Sequence, residues 1–168
     1  AVCYPAKVRR LAILNGVWKR TPEARAAVVA RAAEIAQGNV DFENPLARWF
    51  GDGGATADGR AKVGGWLQAV DLHGYAVAYR AFAEGDDVYA DRWGKIACPA
   101  LFLTGDGDPN SPPEMARAMA EAAPNGRAYI VEGHRHMVNL TASDEVNRVL
   151  QAWLELPVSA PAPSEVRP

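Results

Sequence analysis

Between Pro99 and Leu140 two apolar runs flank one helical pattern, and this constrains the fold more than any other stretch of the chain. The first run is Pro99-Ala-Leu-Phe-Leu-Thr104 and the second is Ala128-Tyr-Ile-Val131. Short, unbroken apolar runs suit strands that are covered on both faces. Between them Met115, Ala118, Met119 and Ala122 recur at helical spacing. Strand, helix and strand in this order make a parallel pair joined by a crossover. In a parallel sheet the loops that follow the strands emerge along one edge. The loop after the first run is Gly105-Asp-Gly-Asp108-Pro-Asn-Ser-Pro112, and the one after the second is Gly133-His134-Arg135-His136-Met137.

An acid and a histidine brought to one sheet edge are two thirds of a nucleophile–His–acid triad. A serine hydroxyl is a poor nucleophile until a neutral imidazole takes its proton, and a carboxylate must hold that imidazole in one tautomer. Asp108, in a loop stiffened by Pro109 and Pro112, is the candidate acid, with Asp106 as its competitor. His136 and His134 stand two residues apart, a spacing that also occurs in metal sites, but no third ligand follows at a suitable interval. His73, at the start of a helical stretch, reads as structural or exposed. The nucleophile is not found. Ser111 and Ser143 read as helix caps, Ser159 and Ser164 lie in the tail, and no serine stands in a Gly-x-Ser-x-Gly turn.

The remaining chain is read around this unit. Lys7 to Leu14 is a further strand ending in a buried apolar run and closed by Asn15-Gly16, and Ala1 to Pro5 reads as the last turn of a helix. Thr21-Pro22 starts a helix that Gly38 closes. Asn44 to Phe50 is a short turn or helix, Gly51 to Gly54 a mobile loop, and Arg60 to Val70 a helix weakened by Gly64-Gly65. Leu72, Tyr75, Ala76, Tyr79, Phe82 and Ala83 form an amphipathic stripe whose aromatic members are expected in a core rather than around a ligand. Ser111-Pro-Pro-Glu114 and Thr141-Ala-Ser-Asp144 have the form of capping boxes. The second opens a terminal helix with Val146, Val149, Leu150 and Trp153 facing inward. Residues 157–168 are rich in Pro, Ala and Ser and read as a disordered tail.

Composition narrows the function class. Hydrophobic residues are 49% and charged residues 23%, a globular balance. A net charge of -2 gives no nucleic-acid surface, and no apolar run is long enough to cross a membrane. Cys3 and Cys98 are too few for a disulfide framework and read as free thiols in a reducing, cytoplasmic setting.

Residues 96–140, with their Gly-Asp-Gly-Asp-Pro loop and the His-Met after the last strand, resemble the last third of an α/β-hydrolase. Upstream, Tyr4-Pro5-Ala-Lys-Val8-Arg-Arg-Leu11 is similar to the helix end and strand that follow the nucleophile elbow in that family. Arg48-Trp49-Phe50, Gly74-Tyr75 and Asp86-Asp87 resemble the lid of 3-oxoadipate enol-lactonases and carboxylesterase-like hydrolases. The resemblance spans residues 4–156. It implies Asp108 as triad acid, His136 as general base, and Trp49 either lining an acyl or lactone pocket or packed within the lid. It also implies no metal or organic cofactor, and a small ester or lactone as substrate. Arg135 departs from the small residue common before the histidine.

The expected architecture is therefore a partial α/β-hydrolase fold: the last three parallel strands with flanking helices and a helical lid insertion. Residues 1–19 and 96–156 would form the core, 20–95 the lid or a set of helices on the sheet flanks, and 157–168 the tail. The family's early strands, oxyanion loop and elbow are missing, so the nucleophile, a Ser or in some branches an Asp, is expected on a missing N-terminal segment or a complementary chain. Three strands with an open edge make a poor independent fold. The rival reading is a non-catalytic binding module on a degenerate hydrolase scaffold.

Overall fold

The computed structural model describes residues 1–51 and 56–157. Three parallel strands, β1 (Leu11–Leu14), β2 (Ala100–Gly105) and β3 (Gly126–Val131), form one sheet in sequence order. Leu11 pairs with Ala100 and Ala100 with Gly126, so the strands run in step to a common carboxyl edge. The middle strand is buried at every position. Its alternate residues serve two layers. Phe102 and Ala100 face Ile96 and the helix α5 (Pro113–Ala122), where Ala116 and Met119 are buried. Leu103 and Val131 face Val138 and Val146, the latter on the terminal helix α7 (Ser143–Leu154).

Between β1 and β2 the described residues form four helices: α1 (Pro22–Ala36), α2 (Glu43–Phe50), α3 (Ala57–Gln68) and α4 (Leu72–Gly85). A 3-10 turn, Ala90–Lys95, returns it to the sheet. A short helix α6 (Val138–Thr141) follows the histidine loop. The expected start of α1 is met: Thr21 accepts the Ala24 amide at 3.2 Å and Pro22 takes the first helical position. Gly64 allows α3 to approach α2, since a Cβ there would lie 3.4 Å from Leu46 Cδ1. The two ends of the helical segment meet at a neck. Arg20 Nη1 lies 3.0 Å from Asp86 Oδ1, and Arg25 Nη2 reaches the same oxygen at 2.8 Å and Asp87 at 2.7 Å. The Arg20 and Asp86 side chains are only 6% and 2% exposed, so Arg20 depends on Asp86 for compensation, and Asp86 on Arg20 together with Arg25.

Several sequence expectations are corrected. Residues 1–4 are not helical; a 3-10 turn at Pro5–Lys7 stands there instead, because Pro5 opens a turn and does not end one. β1 covers Leu11–Leu14 only and is half-buried, since β2 is its sole strand partner among the described residues. Neither capping box forms. Pro112 and Ala142 hold the cap positions of α5 and α7 without side-chain caps, because Ser111 and Thr141 donate their hydroxyls elsewhere. The aromatic stripe of α4 is not a core. Tyr75 meets Tyr79 at a tilt and Tyr79 meets Phe82 edge to face, with centroids 5.9 and 5.7 Å apart, Phe82 is 45% exposed, and only Ala83 of this helix is buried. The physical cause is coverage: α4 packs against α1, while its aromatic side is met by the Phe42 ring at Tyr75, 5.9 Å away, and by the Arg20 guanidinium over Phe82 at 4.2 Å, which leaves Phe82 partly open. The expected loop at residues 52–54 and the expected tail from residue 158 lie outside the described residues.

Candidate active site

The carboxyl ends of β1, β2 and β3 lead into Asn15, the Asp108 loop and the His136 loop. Backbone bonds lace the two loops together: Asp106 N donates to Val131 O at 3.0 Å and Gly107 N to His134 O at 3.0 Å. Gly105 is required at the strand end, where a Cβ would run into the His134 carbonyl oxygen. Asp106, the competing acid, does not meet a histidine ring; its Oδ1 accepts the His134 amide at 3.2 Å. His134 places its Nδ1 2.8 Å from Thr141 Oγ1 and so braces the loop from the other side.

Asp108 and His136 are brought together, with 2.8 Å between His136 Nδ1 and Asp108 Oδ2. A carboxylate beside Nδ1 fixes the proton on that nitrogen and leaves Nε2 as the basic one. No hydrogen bond is made by Nε2 among the described residues, and the His136 side chain is 21% exposed while that of Asp108 is fully enclosed. The geometry therefore presents one free imidazole lone pair at the sheet edge, held by a buried acid.

The buried carboxylate is well satisfied. Asn15 Nδ2 donates to Oδ2 at 2.8 Å, and the amides of Asn110 and Ser111 donate to Oδ1 at 2.8 and 3.1 Å. Thr104 Oγ1 lies 3.1 Å from Oδ2, and Ser111 Oγ donates to Asn15 O at 2.8 Å. Burial pushes the Asp108 carboxyl up, but hydrogen bonds from His136 and Asn15, the imidazolium charge and the Asn110 amide pull it down further, to about 2. Asn15, Thr104 and the buried role of Ser111 are not apparent from the sequence. Asn15 carries the one available signal: an Asn at a strand end tolerates the left-handed backbone, and its φ is 52°.

These bonds make acid stability sensitive to Asn15. A carboxyl near 2 when folded, against an ordinary 3.8, stabilises the fold above about pH 4. That contribution, about 2 kcal/mol, is lost as the pH falls through the folded value. Asn15→Gly keeps a residue suited to positive φ but removes one donor. It should raise the folded value and shrink the loss of urea stability between pH 5 and pH 2, a range set by the two values above. Equal slopes for the two proteins would refute the assignment of that bond.

Trp49, near the end of α2, stacks on the His136 ring with centroids 5.9 Å apart and planes at 25°. It also packs against Leu46, Phe50 and Val63, so it touches both the helical segment's small core and the candidate base. The broad groove between α1 and α4, bounded by Ala32, Ile35, Ala76 and Val77, shares no lining residue with this site. Among the described residues no three His, Cys, Asp or Glu side chains could hold a metal ion. No helix among them is long and apolar enough to cross a membrane. Cys3 and Cys98 are both free thiols.

The model of the α/β hydrolase family matches residues 1–149. The chain belongs to the α/β-hydrolase family. Among its hydrolase relatives, the (E)-2-((N-methylformamido)methylene)succinate hydrolase of Acinetobacter baylyi is 53% identical over 155 residues, which are 92% of this chain and 59% of that protein. A thermophilic esterase from Thermogutta terrifontis superposes with a TM-score of 0.77 at 22% identity, covering 90% of this chain and 57% of the esterase. An enol-lactonase from Burkholderia xenovorans gives 0.73 at 22% identity, covering 93% and 60%. The chain thus spans less than two thirds of the length of each of these hydrolases. The expected partial α/β-hydrolase fold, with three parallel strands and flanking helices, is the one found.

Proposed function

We propose that this chain supplies the acid, the general base and the lid of a nucleophile–His–Asp hydrolase acting on a small acyl compound. The observation that carries the reading is the 2.8 Å contact of His136 Nδ1 with the enclosed Asp108 carboxylate, with Nε2 left free. In this reading Nε2 takes the proton of a serine hydroxyl as it attacks the acyl carbon. The imidazolium, stabilised by Asp108, then protonates the leaving group, and the neutral ring activates water to release the acyl group. The serine lies outside these 168 residues, on an N-terminal segment or a complementary chain. Residues 20–95 form the lid, and Trp49 lines the acyl pocket where it covers the base. Stacking of Trp49 on His136 supports both roles.

The relative from Acinetobacter baylyi narrows the substrate. Its name describes hydrolysis of a succinate bearing an N-methylformamido-methylene group, and so of a compound with two carboxylates. Carried to this chain, it favours small carboxylate-bearing esters, lactones or amides.

A fluorophosphonate probe tests the serine. The protein is taken from its source, treated, and weighed intact. One adduct is expected, either on a polypeptide heavier than these 168 residues or on a separate chain that copurifies with them. An unmodified preparation would overturn the serine mechanism.

A further inference from the structure

Arg135 precedes the candidate base in the histidine loop, has no part in the triad, and stands where the resemblance has a small residue. Its side chain is exposed, and among the described residues it makes no hydrogen bond or ion pair. Yet it does not hang in solvent. A Cβ on Gly107 would lie 3.4 Å from Arg135 Cγ, and a Cβ on Gly51 only 2.8 Å from its Nε. The stem therefore runs over the acid loop one residue before Asp108, and the guanidinium rests on the backbone two residues after Trp49. Both supporting positions are glycines, and Gly51 holds φ at 69°, a conformation that side chains rarely adopt. The guanidinium thus sits where the segments carrying Asp108, His136 and Trp49 converge.

An unpaired guanidinium offers five donors in a planar fork that matches a carboxylate. Surface arginines are commonly satisfied by water, but this one is laid along Gly107 of the acid loop and Gly51 at the end of the Trp49 helix. A dianionic substrate approaching this edge meets the buried negative charge of Asp108, and a cation is needed to offset that repulsion. We infer that Arg135 binds a substrate carboxylate and selects small dicarboxylates of the succinate type. The inference rests on the hydrolytic reading above for its substrate, but not for its test.

The test is calorimetric binding of itaconate, a methylenesuccinate dianion, to the intact protein with any chain that copurifies. Arg135→Gln should weaken itaconate about tenfold or more, as loss of a charge-assisted bidentate pair does. Arg135→Lys, which keeps the charge and loses the fork, should fall between the two. Binding of the uncharged dimethyl itaconate should be the same in all three proteins. Unchanged itaconate affinity in Arg135→Gln, or no itaconate binding by the parent protein, would overturn the assignment. Binding does not require His136 to act as a base, so a protein that binds itaconate through Arg135 but hydrolyses no acyl compound would sink the catalytic reading alone.

Discussion

His136→Ala is expected to lower turnover of an activated ester by about 10⁴-fold or more in the intact protein, together with whatever chain carries its nucleophile, leaving the fold intact. The magnitude follows from what the ring does in the proposed cycle. Without Nε2 the proton acceptor held by Asp108 is lost, and the leaving group departs unprotonated. Loss of the base leaves substrate binding and any oxyanion donors in place, so a residue of catalysis over water survives. The side chain is partly exposed and its single hydrogen bond is to Asp108, so circular dichroism of the variant should match the parent. Asp108→Ala in the same background should add little to the defect, because acid and base act as one unit. Steady-state kinetics at saturating ester decides the matter: turnover within tenfold of the parent would remove His136 from the mechanism.

How much of this site the sequence disclosed depends on distance along the chain. Asp108 and His136 follow neighbouring strands of one βαβ unit, so parallel pairing alone places them together. The supporting shell has no such signature. Asn15 reaches Asp108 from 93 positions away and depends on the register of β1 against β2, which no local pattern encodes. Ser111 looked like a helix cap because its neighbours fit the motif, but its hydroxyl is drawn to the Asn15 carbonyl that the fold sets beside it. Thr141 was diverted in the same way, to the Met137 carbonyl and the His134 ring.

Phe102→Ala carries the largest expected loss of stability, about 3–5 kcal/mol. Phe102 is fully buried at the middle of the central strand, and its ring stacks on Trp93 with centroids 5.4 Å apart. Trp93 in turn packs on Trp18 at 5.2 Å, so the phenyl ring supports both the chain leaving β1 and the turn returning to β2. Truncation removes apolar contact from Ile96 and Met119 as well and leaves a cavity between the sheet and α5. A domain of this size is stable by about 5–15 kcal/mol, so the variant should lose a large fraction of its margin. Phe102→Leu, which keeps most of the volume, should cost under about 1.5 kcal/mol. Urea unfolding of the three proteins checks the order, and a loss below about 1 kcal/mol for the alanine variant would show that the core collapses around the gap.

The same strand shows why the fold was legible where the helices were less so. An unbroken apolar run between turn residues admits few structures, and β2 falls within one residue of its expected place. The stripe on α4 was correctly periodic, but periodicity gives a face and not its cover. Tyr75, Tyr79 and Phe82 satisfy one another while part of that face stays open.

The neck formed by Arg20, Arg25 and Asp86 has a consequence for how such a chain can diverge. Because residues 20 and 86 are held within an ion pair of each other, everything between them behaves geometrically as one closed loop. Helices can be lengthened, exchanged or lost inside that loop without moving β1 against β2, and so without disturbing the line from Asn15 through Asp108 to His136. The Asp108–His136 pair and the helices α1 to α4 are thereby separable units of inheritance: one fixed by strand register, the other free to be rewritten.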